Sequence, residues 1–204
     1  MASSETVRTV TVTGVATATA VPDRATLSLG VQSRRPSAQS ALQVVDERAA
    51  TLVAALRDAG ARDEDLRTTG LNLWFDQSAR EYVGSYSVNV AVPADDAGRV
   101  VDAAAEVAGD ELTLHGITFS VADPASVVAP LRPAAVADAR AKAATLAAAA
   151  GCELGEVVSI AESGPGGAVP LARASAKLVM AAPVEPGTET LALHVTVTWE
   201  LVGQ

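Results

Sequence analysis

Few residues in this chain are equipped for chemistry, and their spacing brings no reactive set together. Cys152 is the single cysteine, and His115 and His194 are the two histidines. One cysteine excludes an internal disulfide and a multi-cysteine zinc site. It reads as a small buried hydrophobe near a helix end. His115 stands where an apolar alternation changes phase, and His194 falls on the polar face of a strand pattern, so neither pairs with Cys152 as a base with a nucleophile. The acids cluster twice. Asp63, Glu64 and Asp65 follow Arg62 at a spacing unlike a calcium loop, which predicts side-chain turn bonds from Asp63 or Asp65. Asp110 and Glu111 mark a second turn. Asp138 precedes Lys142 by four residues, the favourable order for a solvated helix pair. No GxSxG, HExxH, phosphate-binding loop or GxGxxG motif occurs. The residues therefore assign no catalytic, metal or cofactor group, and the chain is expected not to be an enzyme.

Asp23 is the acid with the most pointed setting. It follows Pro22 between two strand patterns. Val10, Val12, Gly14, Ala16, Ala18 and Ala20 alternate with threonines. Beyond Asp23 the apolar set moves to odd numbers: Ala25, Leu27, Leu29 and Val31. A bend at Pro22-Asp23 would return both sets to one core, since a one-residue slip otherwise exchanges the faces. Asp23 is thus read as a hinge in the sheet.

The elements around these residues follow from periodicity. Ala38, Leu42, Val45, Ala49, Leu52 and Leu56 form a helical stripe, capped by Ser33 or Ser37 and stopped by Gly60. Leu71, Leu73 and Phe75 alternate into a polar turn, Asp76 to Glu81, and Tyr82 to Val92 alternate back. Trp74, Tyr82 and Tyr86 near this hairpin are expected by default to pack in the core, with a small aromatic patch as the alternative. A helix fits Asp95 to Ala108. The phase slip at His115-Gly116 reads as a β-bulge. Pro133 to Ala150 is a strong helix former through its alanines. A short strand at Val157 to Ile160 precedes a Gly- and Pro-rich stretch, 163–187, read as a flexible lid or arm. Leu191 to Leu201 close the chain with period two. The order ββα-ββ-α-β-α-ββ predicts an α+β fold, a largely antiparallel (mixed) sheet with about three helices on one face. Residues 1–6 are expected to be disordered and 7–204 to form one domain.

Composition narrows the partners. The 204 residues are 49% hydrophobic but only 3% aromatic, so Ala, Val and Leu build the core. Net charge is −9 without a basic cluster, which disfavours nucleic acid. No run approaches the roughly 18 apolar residues of a membrane helix. No charged-then-apolar leader opens the chain. These features predict a cytoplasmic protein, or an exported one if a leader was removed.

In order and spacing, several stretches resemble the SIMPL-domain family. They are "VTGVATATAVPDRATLSLGV" with Gly14, Pro22 and Asp23, then "LRDAGARDEDLRTTGLNL" with Gly60 and Asp65. "LHGITFSVAD" with Gly116 follows, then the helix segment containing Asp138, Arg140 and Lys142, and finally Pro186-Gly187 before the closing strand. The resemblance spans Val7 to Val202. It implies an α+β fold, frequent export to the periplasm, large ring- or channel-like homo-oligomers in some members, and links to stress tolerance and, in an animal relative, to a signalling kinase. It implies no catalytic residue. Two expectations follow: a self-assembling protein whose long terminal strands offer edges to neighbouring copies, or a module that binds a small molecule or signalling partner through 163–187.

Overall fold

The computed structural model describes residues 8–162, 168–170 and 187–203. The expected disordered residues 1–6 lie outside these, as does most of the 163–187 segment. The described elements are β1 (Thr9–Ala20), β2 (Arg24–Arg35), α1 (Ala38–Asp58), β3 (Leu66–Asp76), β4 (Glu81–Pro93), α2 (Ala97–Ala108) and β5 (Leu112–Ser120). They continue with α3 (Pro124–Val128), α4 (Leu131–Ala149), β6 (Cys152–Glu162), β7 (Ala168–Pro170) and β8 (Glu189–Gly203). The class is α+β, every described strand pairing is antiparallel, and the element order is the expected one.

The strands divide between two sheets, and the chain gathers into two compact units. The first unit holds β1, α3, α4, β6, β7 and β8, with sheet order β1-β8-β6 and β7 also on β8. The second contains Pro22–Ala122, with order β3-β4-β2-β5 and helices α1 and α2. Each unit has its own core. In the first, Leu191, Leu193, Val195, Val197 and Trp199 of β8 pack with Ala135, Ala139 and Ala143 of α4. In the second, Ala25, Leu27, Leu29 and Val31 of β2 pack with Val88, Val90 and Val92 of β4 and with Leu52 and Leu56 of α1.

This division corrects the reading of Pro22-Asp23. The apolar sets on its two sides do not return to one core. Val10, Val12, Ala16 and Ala18 pack against the first core, whereas Ala25 to Val31 belong to the second. The change of phase is resolved by giving each strand its own sheet, so Asp23 is a crossing point and not a hinge within a sheet. A second correction concerns one of the two terminal strands, since β1 does lie at the edge of its sheet. β8 is paired on both sides, by β1 and by β6, and offers no edge.

Local signals placed the helices well. Ser37 caps α1, its Oγ accepting the Ser40 N–H at 3.2 Å. Gly60 ends it at φ 100°, with its own N–H donating to the Arg57 carbonyl and the Ala61 N–H to the Leu56 carbonyl, both at 2.9 Å. That pair of bonds is the Schellman stop, which needs a left-handed residue. The expected α1 stripe is buried at Val45, Ala49, Leu52 and Leu56 and departs from expectation only in the first turns, where Ala41 is buried and Leu42 is exposed. α4 starts at Leu131, with Pro133 inside its first turn, where a missing N–H leaves no intrahelical bond unmade.

Candidate functional site

Three residues singled out by motif meet on β1. α4 buries Ala135, Ala139 and Ala143, a row of small residues four apart, against the sheet. The helix backbone closes on Gly14, where a Cβ would stand 1.9 Å from the Ala135 carbonyl oxygen and 2.6 Å from the Ala139 nitrogen. Only glycine permits that approach. It carries Asp138 and Lys142 to the outer edge of β1. The Val15 N–H donates to Asp138 Oδ2 at 2.8 Å, and Lys142 Nζ donates to the Thr13 carbonyl at 3.2 Å and to Asp138 Oδ2 at 2.6 Å.

The Thr13 carbonyl and Val15 N–H flank Gly14 and are two of the edge groups that an added strand would bond. Asp138 and Lys142 thus stand in for a missing strand at the middle of the β1 edge. The hydrogen bond from Lys142, and after it the one from Val15, hold the Asp138 carboxyl below the ordinary carboxylate value. A carboxylate so occupied stays ionised at neutral pH and is not poised as a general acid. Arg140, between them in sequence, is exposed and has no carboxylate partner among the described residues. An open recess of about 420 Å³ beside this clasp is lined by Val12, Thr13, Lys142, Thr145 and Leu146.

The other motif residues are placed separately. Asp23 fastens chain segments within the second unit. Its Oδ1 accepts the Ala122 N–H at 2.7 Å, and its carbonyl accepts the Ala94 N–H at 2.9 Å. Pro22, beside it, is buried. Asp65 ends a 3₁₀ turn, Asp63–Asp65, and its carboxylate is bound by Arg62 at 2.7 Å and by Arg24. The acids of this cluster therefore pair with arginines instead of making the expected turn bonds; Asp63 binds Arg57 at 2.6 Å. The hydrogen bond from Arg62 is the foremost cause of a lowered Asp65 pKa, partly opposed by desolvation. Glu111 likewise accepts from Arg35 at 3.2 Å and forms an ion pair with Arg48 at 2.7 Å.

Gly116 takes φ 154° beside the bulge. The β2–β5 register steps from Ser28 opposite Gly116 to Leu29 opposite Leu114, leaving His115 as the extra residue. Gly187 adopts φ 63° two residues before β8, and Pro186 lies outside the described residues. Cys152 opens β6, partly exposed, and His194 stands opposite Val15 on the outer face of β8. Among the described residues, no three side chains of His, Cys, Asp or Glu are grouped to hold a metal ion.

An apolar surface lies on β3, where the sequence offered an aromatic patch only as the alternative to core packing. On edge strand β3, Leu71 is 60% exposed, Trp74 46% and Phe75 45%, with Leu73 also exposed. The expected core packing of Trp74 is therefore not realised. Phe75 stacks on Tyr82 at a centroid distance of 4.9 Å, and the Tyr86 hydroxyl bonds Thr68 Oγ1 at 2.8 Å. The hairpin end is pinned by Asp76, which accepts from Ser78 Oγ at 2.6 Å, from Arg34 at 2.9 Å and from the Ser78 and Ala79 amides. These bonds, led by the Ser78 hydroxyl, hold its carboxyl far below the ordinary value. The signal in the sequence was "LNLWF", where large apolar residues occupy both faces of one short run. Edge strand β6 also exposes Val157, Val158 and Ile160, each half or more.

Residues 10–199 match the SIMPL family, described as a protein of unknown function (DUF541). The chain is 31% identical to the 26 kDa periplasmic immunogenic protein of Brucella melitensis biotype 1, over 94% of this chain and 84% of the relative. The protein of the same description from Brucella abortus is 30% identical over the same shares.

Proposed function

The chain belongs to the SIMPL family, and from that premise we propose that it is a non-enzymatic protein of an exported compartment that works as an assembly of identical copies. The observation that carries this reading is β3: among the described residues it is an edge strand, paired only with β4, and it presents Leu71, Leu73, Trp74 and Phe75 to solvent. An edge of that kind is a pairing site unless charge, bulges or a cover protect it. The edge of β1 has such protection in Asp138 and Lys142. The contrast between a blocked edge and an apolar open one supports association through defined edges.

The non-enzymatic part rests on how the polar groups are spent. Asp23, Asp65, Asp76, Glu111 and Asp138 each take hydrogen bonds or arginine or lysine partners inside the fold. The compartment is proposed from the relatives, which are described as periplasmic. No helix among the described residues is long and apolar enough to cross a membrane. The stress tolerance associated with the family is the proposed physiological setting.

Light scattering coupled to size exclusion tests the reading. The expected result is a mass that is a multiple of 20.6 kDa. A monomer that persists as concentration rises overturns it.

A further inference from the structure

We infer that β3 pairs with β3 of a second copy about a two-fold axis through Asn72, continuing the four-stranded sheet of the second unit into one of eight strands. The inference rests on the assembly reading and names its contact. The β3–β4 register assigns the faces. Leu71, Leu73 and Phe75 stand opposite Tyr86, Gly84 and Tyr82, on the face that carries α1. Gly70, Asn72 and Trp74 stand opposite Ser87, Ser85 and Val83, on the other face. α1 abuts β4 at Gly84, where a Cβ would meet Val45 at 2.9 Å and Ala41 at 3.1 Å. Leu71, one strand further out, is 60% exposed.

A two-fold axis perpendicular to a sheet returns each face to itself, so antiparallel self-pairing must oppose residues of one face. With the axis at Asn72, Leu71 meets Leu73 of the second copy and Leu73 meets Leu71, covering the two leucines that α1 leaves bare. On the other face Asn72 meets Asn72, and each carboxamide has a donor and an acceptor to exchange with its twin. Gly70 meets Trp74, so an indole ring lies over the bare glycine backbone, a cross-strand pairing that stabilises edge glycines. The bulge between Thr68 and Gly70 lies just outside this span, so the paired residues run as regular strand. Asp76 fixes the turn beyond it, holding the edge ready before a partner arrives.

Cross-linking in the full chain tests the register. In a Cys152→Ser background, Asn72→Cys puts two thiols opposite each other across the axis. Leu73→Cys puts them two positions out of register, beyond the about 7 Å over which Cα atoms can be bridged. Mild oxidation is expected to convert the Asn72→Cys chain largely to a covalent dimer on a non-reducing denaturing gel and to leave the Leu73→Cys chain single. Asn72→Lys, which sets two cations on the axis, is expected to lower the mass seen by light scattering while leaving the thermal melt of the fold in place. A covalent dimer from Leu73→Cys but not from Asn72→Cys overturns this register. An assembled protein that is cross-linked at neither position and keeps its mass in Asn72→Lys overturns the β3 contact and leaves the assembly reading standing. A wild-type monomer at every concentration overturns both.

Discussion

Asp23 and Asp76 show how a single carboxylate here serves the chain path. Asp23 ties the start of β2 to the residue after β5 through the Ala122 N–H. Asp23→Ala removes that acceptor and is expected to cost about 1 kcal/mol, read as a lower denaturation midpoint with an unchanged m-value. Asp23→Asn keeps a carbonyl oxygen in place and should recover most of the loss. Unchanged stability in Asp23→Ala would remove the fastening role. Asp76, Asp65, Asp138 and Glu162 all have carboxyl pKa values lowered by hydrogen bonds from Ser78, Arg62, Lys142 and Arg132 respectively, as the first cause in each case. A carboxylate with a folded pKa below its unfolded one adds stability that is complete above the unfolded value of about 4 and is lost as pH falls toward the folded value. Melting temperature is therefore expected to hold flat from pH 7 to about pH 5 and to decline below about pH 4. In Asp76→Asn that acid decline should be shallower. A melting temperature that rises on acidification through this range contradicts the assignment.

Elements follow from the sequence where their signals are local, and their partners do not. Period two placed β1, β2 and β8, the stripe from Ala38 to Leu56 placed α1, and Gly60 placed its end. The allocation of strands to sheets was not legible, because an even-to-odd change of phase has two solutions, a bend in one sheet or two sheets. The role of Asp138 and Lys142 was hidden for a related reason. An acid–base pair four apart on a helix looks the same whether it faces water or a strand edge, and Val15 is 123 residues away. Gly14 was the trace of that contact, a bare position in a long run of Thr, Val and Ala. Gly14→Ala drives a methyl group into the α4 backbone, so the helix must shift off β1. The expected loss is about 2 kcal/mol or more, measured by chemical denaturation. Asp138→Ala combined with Lys142→Ala makes no clash and instead frees the Thr13 carbonyl and Val15 N–H. Exposed edges of this kind recruit other strands. The double variant is expected to form larger species in light scattering than the wild type at equal concentration, and an identical profile would count against the blocking role.

At the scale of the molecule, one compact unit is built into a connection of the other. The first unit needs β1 from before the second and α3, α4, β6 and β8 from after it. The second unit groups Pro22–Ala122 with Ala174–Gly187, and its long segment Pro22–Ala122 by itself holds a whole four-stranded sheet, α1, α2 and a core in which Leu27, Leu29, Leu52, Leu56, Val90 and Val100 are fully buried. The two ends of that segment meet at the Asp23–Ala122 bond, 99 residues apart in sequence. Ends held this close let a self-contained unit interrupt a host strand–helix connection without stretching either. Residues 22–122 expressed alone should therefore fold. The expected signature is a cooperative thermal transition with mixed helix and strand circular dichroism, and the Asp23→Ala change should destabilise this fragment as it does the full chain. β1 alone cannot do the same, since a single strand buries no core without β8 and α4. Failure of 22–122 to unfold cooperatively under conditions where the full chain does would show that its core depends on the remainder of the chain.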